Sequence, residues 1–399
     1  MDNQQGYARF AGIEARRPAE MVDLVTDPEA LRRGGVWFVV AEFEGRARAW
    51  RFADVKRASP GAADARPVDT DPVEDHPLGT ADEIDTDDAW SGPRPDTWTS
   101  SLDRAGYVDA VRGVREHVRA GAVYQANICR VLDAPLARVA GDEPDPRALA
   151  DRLAAGNPAP YQGVVHVPRG TRAPSRRPDV PDADLDPVWV VTASPELYLR
   201  VDGLHGPGPA TITSAPIKGT ARTVGGLTGK DEAENVMITD LVRNDLQRVC
   251  VPGTVAVTTL LGVEEHPGLV HLVSTVRGEL LPEVAASDDL WATLLTTTFP
   301  PASVSGAPKS SALRIIEELE TVPRGPYCGA VGWVDTDTGT AELAVGIRTF
   351  WWSEDQPSGT GRLRFGTGAG ITWGSDPERE WEETELKAAR LIALASAAD

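Results

Sequence analysis

The sequence predicts a globular fold of mixed strands and helices, and three observations lead there. Short segments rich in β-branched and apolar residues recur as strands. Segments with apolar residues at helical spacing lie among them. A hydrophobic content of 41% across 399 residues supplies a substantial core. The length fits one large domain or two ordinary ones. A formal net charge of −20 and a pI near 4.8 argue against nucleic acid and anionic membrane surfaces as partners. Small anionic substrates stay open, because local arginines, backbone N–H groups or a metal bind those. The opening MDNQQGYARF lacks the charged-then-apolar pattern of a leader, and no apolar run nears the roughly 18 residues of a membrane span. Three cysteines, Cys129, Cys250 and Cys328, show neither zinc spacing nor an even-numbered framework. A reduced, cytoplasmic protein is expected, with Cys328 a small packing residue.

Residues 1–56 form an N-terminal strand-containing region expected to pack on the core. Within it, 36–42 (VWFVVAE) reads as a buried strand, and 46–52 alternates after a turn at Gly45. Residues 57–102 are rich in Pro, Asp, Ala and Thr and poor in apolar side chains, which predicts a solvated acidic connector. The main globular region is 103–399. It opens with a helix carrying Tyr107, Val111, Val114 and Val118 at helical spacing and ended by Gly121. Residues 122–132 (AVYQANICRVL) alternate as a strand. Polar Gln125 and Asn127 fall on its otherwise apolar face, either as structural amides or as site residues. Residues 168–187 read as a Pro/Arg/Asp-rich surface insertion. A strand at 188–192 then runs into Ser194-Pro195-Glu196, which sets a carboxylate at a strand end, and strands at 197–201 and 211–213 follow.

Lys218 comes next, after a small apolar run and between Pro216 and Gly219, a stiff bend and a flexible one. A lysine in that setting is either an ordinary surface residue or one that loses solvation and becomes a usable amine nucleophile. Residues 230–246 read as a helix with Asp231 and Glu234 projecting from one side. The last helix starts at Asp376-Pro377, an N-cap followed by proline, and presents Glu380 and Glu383, with Lys387 further along. Each acidic pair is either a solvated first turn favoured by the helix dipole or half of a magnesium cradle. His271 lies in a strand at 270–280, as a satisfied core residue or a site residue. Helices at 287–297 and 308–320 flank TFPPASVSGAPK, a loop with little reason to be core. Strands at 329–334 and 341–350 follow, the second carrying Arg348. The run Gly366-Thr367-Gly368-Ala369-Gly370 then lets backbone N–H groups approach an anion.

Together these stretches resemble the chorismate-utilising enzymes, which include anthranilate synthase component I, aminodeoxychorismate synthase component I, and the isochorismate and salicylate synthases. YQANICRV, SPELYL, SAPIKGTAR, AENVMITDLVRNDL, VHLVSTVRG, SGAPKSSALRIIEELE, GPYCGAVGW, AELAVGIRT, FGTGAGI and DPEREWEETELKA occur in the family's order between Tyr124 and Ala388. The resemblance implies an α+β fold of two packed, mostly antiparallel sheets with helices outside, and a chorismate site with Mg²⁺ in a cleft between them. Residues 103–399 would then be the catalytic region. Two positions separate the subfamilies. The water-adding branch has a lysine where this chain has Gln125, and an amide is no base. Anthranilate synthases have alanine where this chain has Lys218, while aminodeoxychorismate synthases have lysine.

By that resemblance the reaction is para-amination of chorismate to 4-amino-4-deoxychorismate, for p-aminobenzoate and folate or for specialised metabolites. Lys218 would be the nucleophile and Glu196 the general acid. Glu234 and Glu380, supported by Asp231 and Glu383, would hold Mg²⁺. Arg348, Tyr327 and the backbone of Gly368, Ala369 and Gly370 would hold a carboxylate, while His271, Thr220 and Gln125 line the ring site. No cysteine has the setting of a glutaminase nucleophile, so a separate glutamine amidotransferase subunit is expected to supply ammonia. Two departures stand out: Ala302 occupies a place where the family usually has glycine, and the Leu-Leu-Glu-Ser feedback element has no clear match. The alternatives are anthranilate synthase component I and a non-catalytic subunit that partners an active enzyme.

Overall fold

The computed structural model describes residues 6–57, 90–173, 182–221, 223–266, 269–355 and 359–397. Apart from a short pair, Arg172–Ala173 with Ala183–Asp184, every described strand belongs to one hydrogen-bonded antiparallel network. Its pairings divide it into two halves joined by the N-terminal hairpin Tyr7–Phe10/Ile13–Asp23. One half runs from Tyr161–Val167 through Val188–Ser194, Thr349–Glu354 and Gly361–Ile371 to Gln125–Pro135. The other runs from Ala47–Arg57 through Val36–Ala41, Ala330–Asp335, Thr340–Val345, Leu197–Asp202 and Thr211–Ala215 to Leu269–Glu279. The α+β class stands, and the two sheets expected to pack are the two halves of one network.

Apolar alternation decides where the layers meet. Phe10, Phe38, Trp50, Val165, Val190 and Val331 pack between the halves. Helices cover the outer faces. Gly229–Gln247 and Leu290–Thr298 pack Val242, Leu246 and Leu294 on one, while Pro146–Gly156 and Pro377–Ala395 pack Leu149, Leu153 and Leu391 on the other. The Arg104–Arg119 helix starts where the sequence puts it, with the Asp103 carboxylate accepting from Gly106 N at 2.8 Å.

Three expectations change. The strand expected over 341–350 is two strands, Thr340–Val345 and Thr349–Glu354, because the chain leaves one half and joins the other between them. Arg348 therefore sits at the crossing, at a φ of +51°, and not on a strand. The proline-rich loop is core: Ala302, Ser303, Val304, Ser305 and Ala307 are all buried. Most of the expected connector lies outside the described residues, but its end is packed structure. Trp90 is buried with its indole N–H donated to Ala395 O at 2.9 Å, and Thr99–Ser100 pairs with the Gln125–Pro135 strand.

Candidate active site

Two strand connections pass side by side from one half of the network to the other, and the site forms around them. The first is Ser194-Pro195-Glu196, the second Gly346-Ile347-Arg348. They are tied together, since Val345 N donates to Glu196 O and Ala193 N to Arg348 O, both at 3.0 Å. Glu196 is thereby fixed at the sheet crossing, 3% exposed. Burial pushes its carboxyl up to about 7, against the opposing pull of the Ser303 hydroxyl, the Lys218 ammonium and the Ile217 N–H. Behind it a cavity of about 20 Å³, lined by Ser214, Asp245, Thr298 and Ser303 among others, has room for about one water.

Lys218 lies on the Ile217–Ala221 strand, which pairs with Leu269–Glu279. Burial, helped by the Lys387 ammonium, lowers its pKa, while Glu234, Glu196 and Glu383 hold it up. These four partners come from three separate elements, so the fold converges on the amine. Asn235 anchors it from below: its side-chain amide donates to Leu272 O at 2.8 Å and Lys218 O at 3.4 Å, and accepts from the Ser274 hydroxyl at 2.5 Å. Asn235, Ser274 and Ser303 escape the sequence reading. The first two lie inside recognised blocks (AENVMI, VHLVSTVRG), but only tertiary contact reveals what they hold.

At the second crossing, Arg348 has its guanidinium lowered to about 10 by burial alone. Among the described residues no carboxylate pairs with it. Its side-chain partner is His271 Nε2, 3.5 Å from Nη2. A desolvated guanidinium without a counter-ion is prepared for an anion, and its fork matches a carboxylate. His271 is buried and sits opposite Thr220 in the strand register; the Thr220 side chain lies outside the described set.

The glycine strand, Gly361–Ile371, pairs with Gln125–Pro135 along one edge, and its partner on the other edge stops at Phe365. Gly368 O, free of the ladder, accepts from Lys387 Nζ at 3.2 Å. The Gly368 and Gly370 N–H groups share that open edge, since a residue's N–H and C=O point the same way from a strand. The missing side chains also matter on the face: a Cβ on Gly370 would come within 2.3 Å of Gln125 Nε2, and one on Gly368 within 2.6 Å of Cys129 Sγ. Ala369 turns the other way, into an apolar cluster with Tyr107 and Ile128, so only its neighbours face the site. Gln125 is fully buried, donates to Asn127 Oδ1 at 3.2 Å, and keeps Oε1 without a partner. Tyr327 is buried with its ring against Gly366 and its hydroxyl proton held by burial, which makes it a packing residue beside the cleft more than a lining one.

Of the four acidic residues expected to hold a metal, three converge. Lys230 Nζ bridges Glu234 and Glu380 at 3.6 and 3.7 Å, and Glu383 pairs with Lys387 at 2.6 Å. Burial raises the Glu380 carboxyl. Glu383 also feels burial, but Lys387 holds it below the usual range. Asp231 leaves the set: it is the third residue of a capping box, its Oδ2 accepting from Thr228 N at 2.8 Å and Thr228 Oγ1 at 2.6 Å. No preformed cluster of three metal-ligating side chains exists among the described residues. Mg²⁺ does not require one, because it commonly takes one or two carboxylates and completes its shell with water and substrate oxygens. Glu234 Oε1, buried without a hydrogen-bond donor, fits such a role.

A buried acid, a half-buried lysine, an arginine with no carboxylate partner among the described residues and an acidic pair gather around the two crossings, groups of the kind that anion binding and acid–base or amine chemistry use. Residues 62–393 match the chorismate binding enzyme family, and the chain belongs to it. It is 36% identical over 310 residues to anthranilate synthase component 1 of Synechocystis sp., covering 74% of this chain and 54% of that protein. It is 31% identical over 307 residues to aminodeoxychorismate synthase component 1 of Salmonella typhimurium, covering 74% of this chain and 58% of the relative. The chain thus spans somewhat over half the length of these curated relatives. Anthranilate synthase component I from Streptococcus pneumoniae superposes with a TM-score of 0.67 at 22% identity, covering 96% and 92% of the two chains. The menaquinone-specific isochorismate synthase of Escherichia coli gives 0.68 at 17%, covering 98% and 88%. Both likenesses concern the fold. No helix among the described residues is long and apolar enough to cross a membrane.

Proposed function

We propose that the protein is a component I enzyme that aminates chorismate at C4, releasing 4-amino-4-deoxychorismate, with Lys218 as a transient covalent nucleophile. One observation carries this reading: a lysine whose pKa burial lowers lies within electrostatic reach of an acid whose pKa burial raises. Burial thereby favours the neutral amine that would attack and the protonated acid that would assist departure. The Lys218 amine adds at C2 of the ring, the double bond shifts, and the C4 hydroxyl leaves as water with the Glu196 proton. Ammonia then adds at C4, the double bond returns, and the C2–N bond breaks to free Lys218. Glu196 takes back the proton shed by the new C4 ammonium, so acid and amine are both reset. The enolpyruvyl group stays attached.

Arg348 and the open edge at Gly368–Gly370 support binding of one substrate carboxylate, and Glu234 with Glu380 would hold Mg²⁺ against the other. Bound there, the cation supplies charge neutralisation and orientation of the substrate carboxylate. Gln125, which cannot activate water, supports ammonia over hydrolytic chemistry. Ammonia would come from a separate glutamine amidotransferase subunit, and the product would serve p-aminobenzoate and folate or a specialised pathway. The second reading is ortho-amination with pyruvate loss, the anthranilate synthase reaction. It is favoured by the 36% identity to an anthranilate synthase against 31% to an aminodeoxychorismate synthase. Incubation with chorismate, Mg²⁺ and an ammonium salt separates them. 4-Amino-4-deoxychorismate without pyruvate is expected; anthranilate with stoichiometric pyruvate would overturn the assignment.

A further inference from the structure

Lys230 touches, from a single point, the two carboxylates that the proposed reaction assigns to a metal. Its Nζ is 3.6 Å from Glu234 Oε1 and 3.7 Å from Glu380 Oε1. The carboxylates are fixed parts of the interior: the Glu380 side chain is 5% exposed and that of Glu234 17%. Lys230, at the second position of its helix, is 54% exposed on a long flexible stem. It is the only one of the three that can leave without breaking packing. The third carboxylate, Glu383, has its own lysine in Lys387. Each carboxylate of the cluster therefore has an ammonium beside it before any metal arrives.

We propose that Lys230 is an internal counter-cation standing in the divalent position of the metal-free protein, and that Mg²⁺ binds by displacing its ammonium into solvent. The proposal rests on the metal reading above. A divalent ion within coordination distance of both carboxylates would lie close to an ammonium held by the same oxygens. The repulsion between those charges, in a site shielded from bulk water on one side, favours ejection of the mobile one. Two consequences follow from such a device. The acidic cluster stays closed and neutralised without metal, and metal affinity is set by a competition that substrate tips by bringing a further carboxylate.

The test uses the full-length protein without substrate, with Mn²⁺ as the probe, its free ion counted by electron paramagnetic resonance. Lys230→Met should bind Mn²⁺ about three- to thirtyfold more tightly than wild type, the range spanned by two partly exposed ion pairs. Lys230→Arg should stay near wild type. On the wild-type protein, limited acetylation followed by mass spectrometry should find the Lys230 amine several-fold more reactive when Mg²⁺ is added. Equal or weaker Mn²⁺ binding by Lys230→Met, or Lys230 reactivity unchanged or reduced by Mg²⁺, overturns displacement and leaves the metal site standing. Absence of Mn²⁺ binding by every form, with and without chorismate, overturns the metal reading and this proposal with it.

Discussion

Glu196→Gln should make this protein more stable while destroying its activity, with a gain that depends on pH. The Glu196 carboxyl is moved by burial from an ordinary 4.5 to about 7 in the folded state. A raised folded pKa means that the native state keeps a proton which the unfolded chain has released. Its favourable contribution is whole below pH 4.5 and is lost as pH rises toward 7. Above 7 the folded protein carries a buried carboxylate at a cost, relative to the unfolded chain, of about 3 kcal/mol, since each tenfold change in proton affinity between the two states is worth about 1.4 kcal/mol. Glutamine has nearly the same shape and no charge, so it escapes that cost at every pH. Urea unfolding at pH 5 should give similar midpoints for the two proteins. At pH 8.5 the variant's midpoint should be higher by ~1 M, for a slope of ~3 kcal/mol per M. Product formation by the wild type should fall as pH rises through about 7, where the acid loses its proton. The variant should be inactive throughout. A variant no more stable than wild type at pH 8.5, or one with the same difference at both pH values, would refute the argument that burial tunes this acid.

Other substitutions test the remaining parts of the site. Lys218→Ala should lower 4-amino-4-deoxychorismate formation by more than the ~10²–10³ that one oriented hydrogen-bond donor contributes; retained para-amination, measured by product analysis, would exclude the covalent route. Arg348→Gln would remove the charge-assisted bidentate contact proposed for a substrate carboxylate and should weaken chorismate binding by ~10- to 100-fold, read as KM with ammonia saturating. Gly370→Ala would press a methyl to within 2.3 Å of Gln125 Nε2, and should lower turnover while leaving thermal stability within ~1–3 kcal/mol of wild type. Lys309→Met strands the buried Asp245 carboxylate, whose partner lies at 2.8 Å, and should cost ~3–5 kcal/mol in denaturant unfolding, with Asp245→Asn in the same chain recovering part of it.

The sequence discloses this site unevenly, and the reason is geometric. Residues on regular elements are legible: the strand expected at 270–280 is found as Leu269–Glu279, and the helix at 230–246 as Gly229–Gln247, so Glu234 and His271 fall where periodicity puts them. Arg348 reads as a strand residue because β-branched residues, Ile347 and Thr349, flank it inside a run rich in strand formers. Nothing local announces that the chain changes partner there, since both segments remain β and only long-range pairing separates them. The proline-rich loop reads as solvent-facing by composition, yet it is buried because Ser303 must reach Glu196 and Asn127 Nδ2 must reach Ser303 O, at 3.2 Å. Asp231 matches the metal pattern by spacing, but a Thr three residues before it makes an equally good capping box, and the cap takes the carboxylate. The resemblance supplies identities; contacts decide which of the named side chains face the cleft.

Glu196 and Lys218 also bear on why one cleft holds both an acid and an amine. Each attracts the other's charge, and that attraction favours carboxylate and ammonium, the pair of states useless for the proposed chemistry. For both groups burial is the first cause of the altered pKa and acts in the opposite sense, favouring the neutral acid and the neutral amine. The balance therefore depends on keeping the two apart from direct contact while shielding both from water. The architecture does this by placing them on different connections: Glu196 at the sheet crossing under Ser303, and Lys218 on a neighbouring strand held by Asn235. A short hydrogen bond between them would strengthen the Coulomb attraction and push both groups toward their charged forms. In the proposed route, separation without a direct hydrogen bond would let Glu196 give a proton while Lys218 attacks.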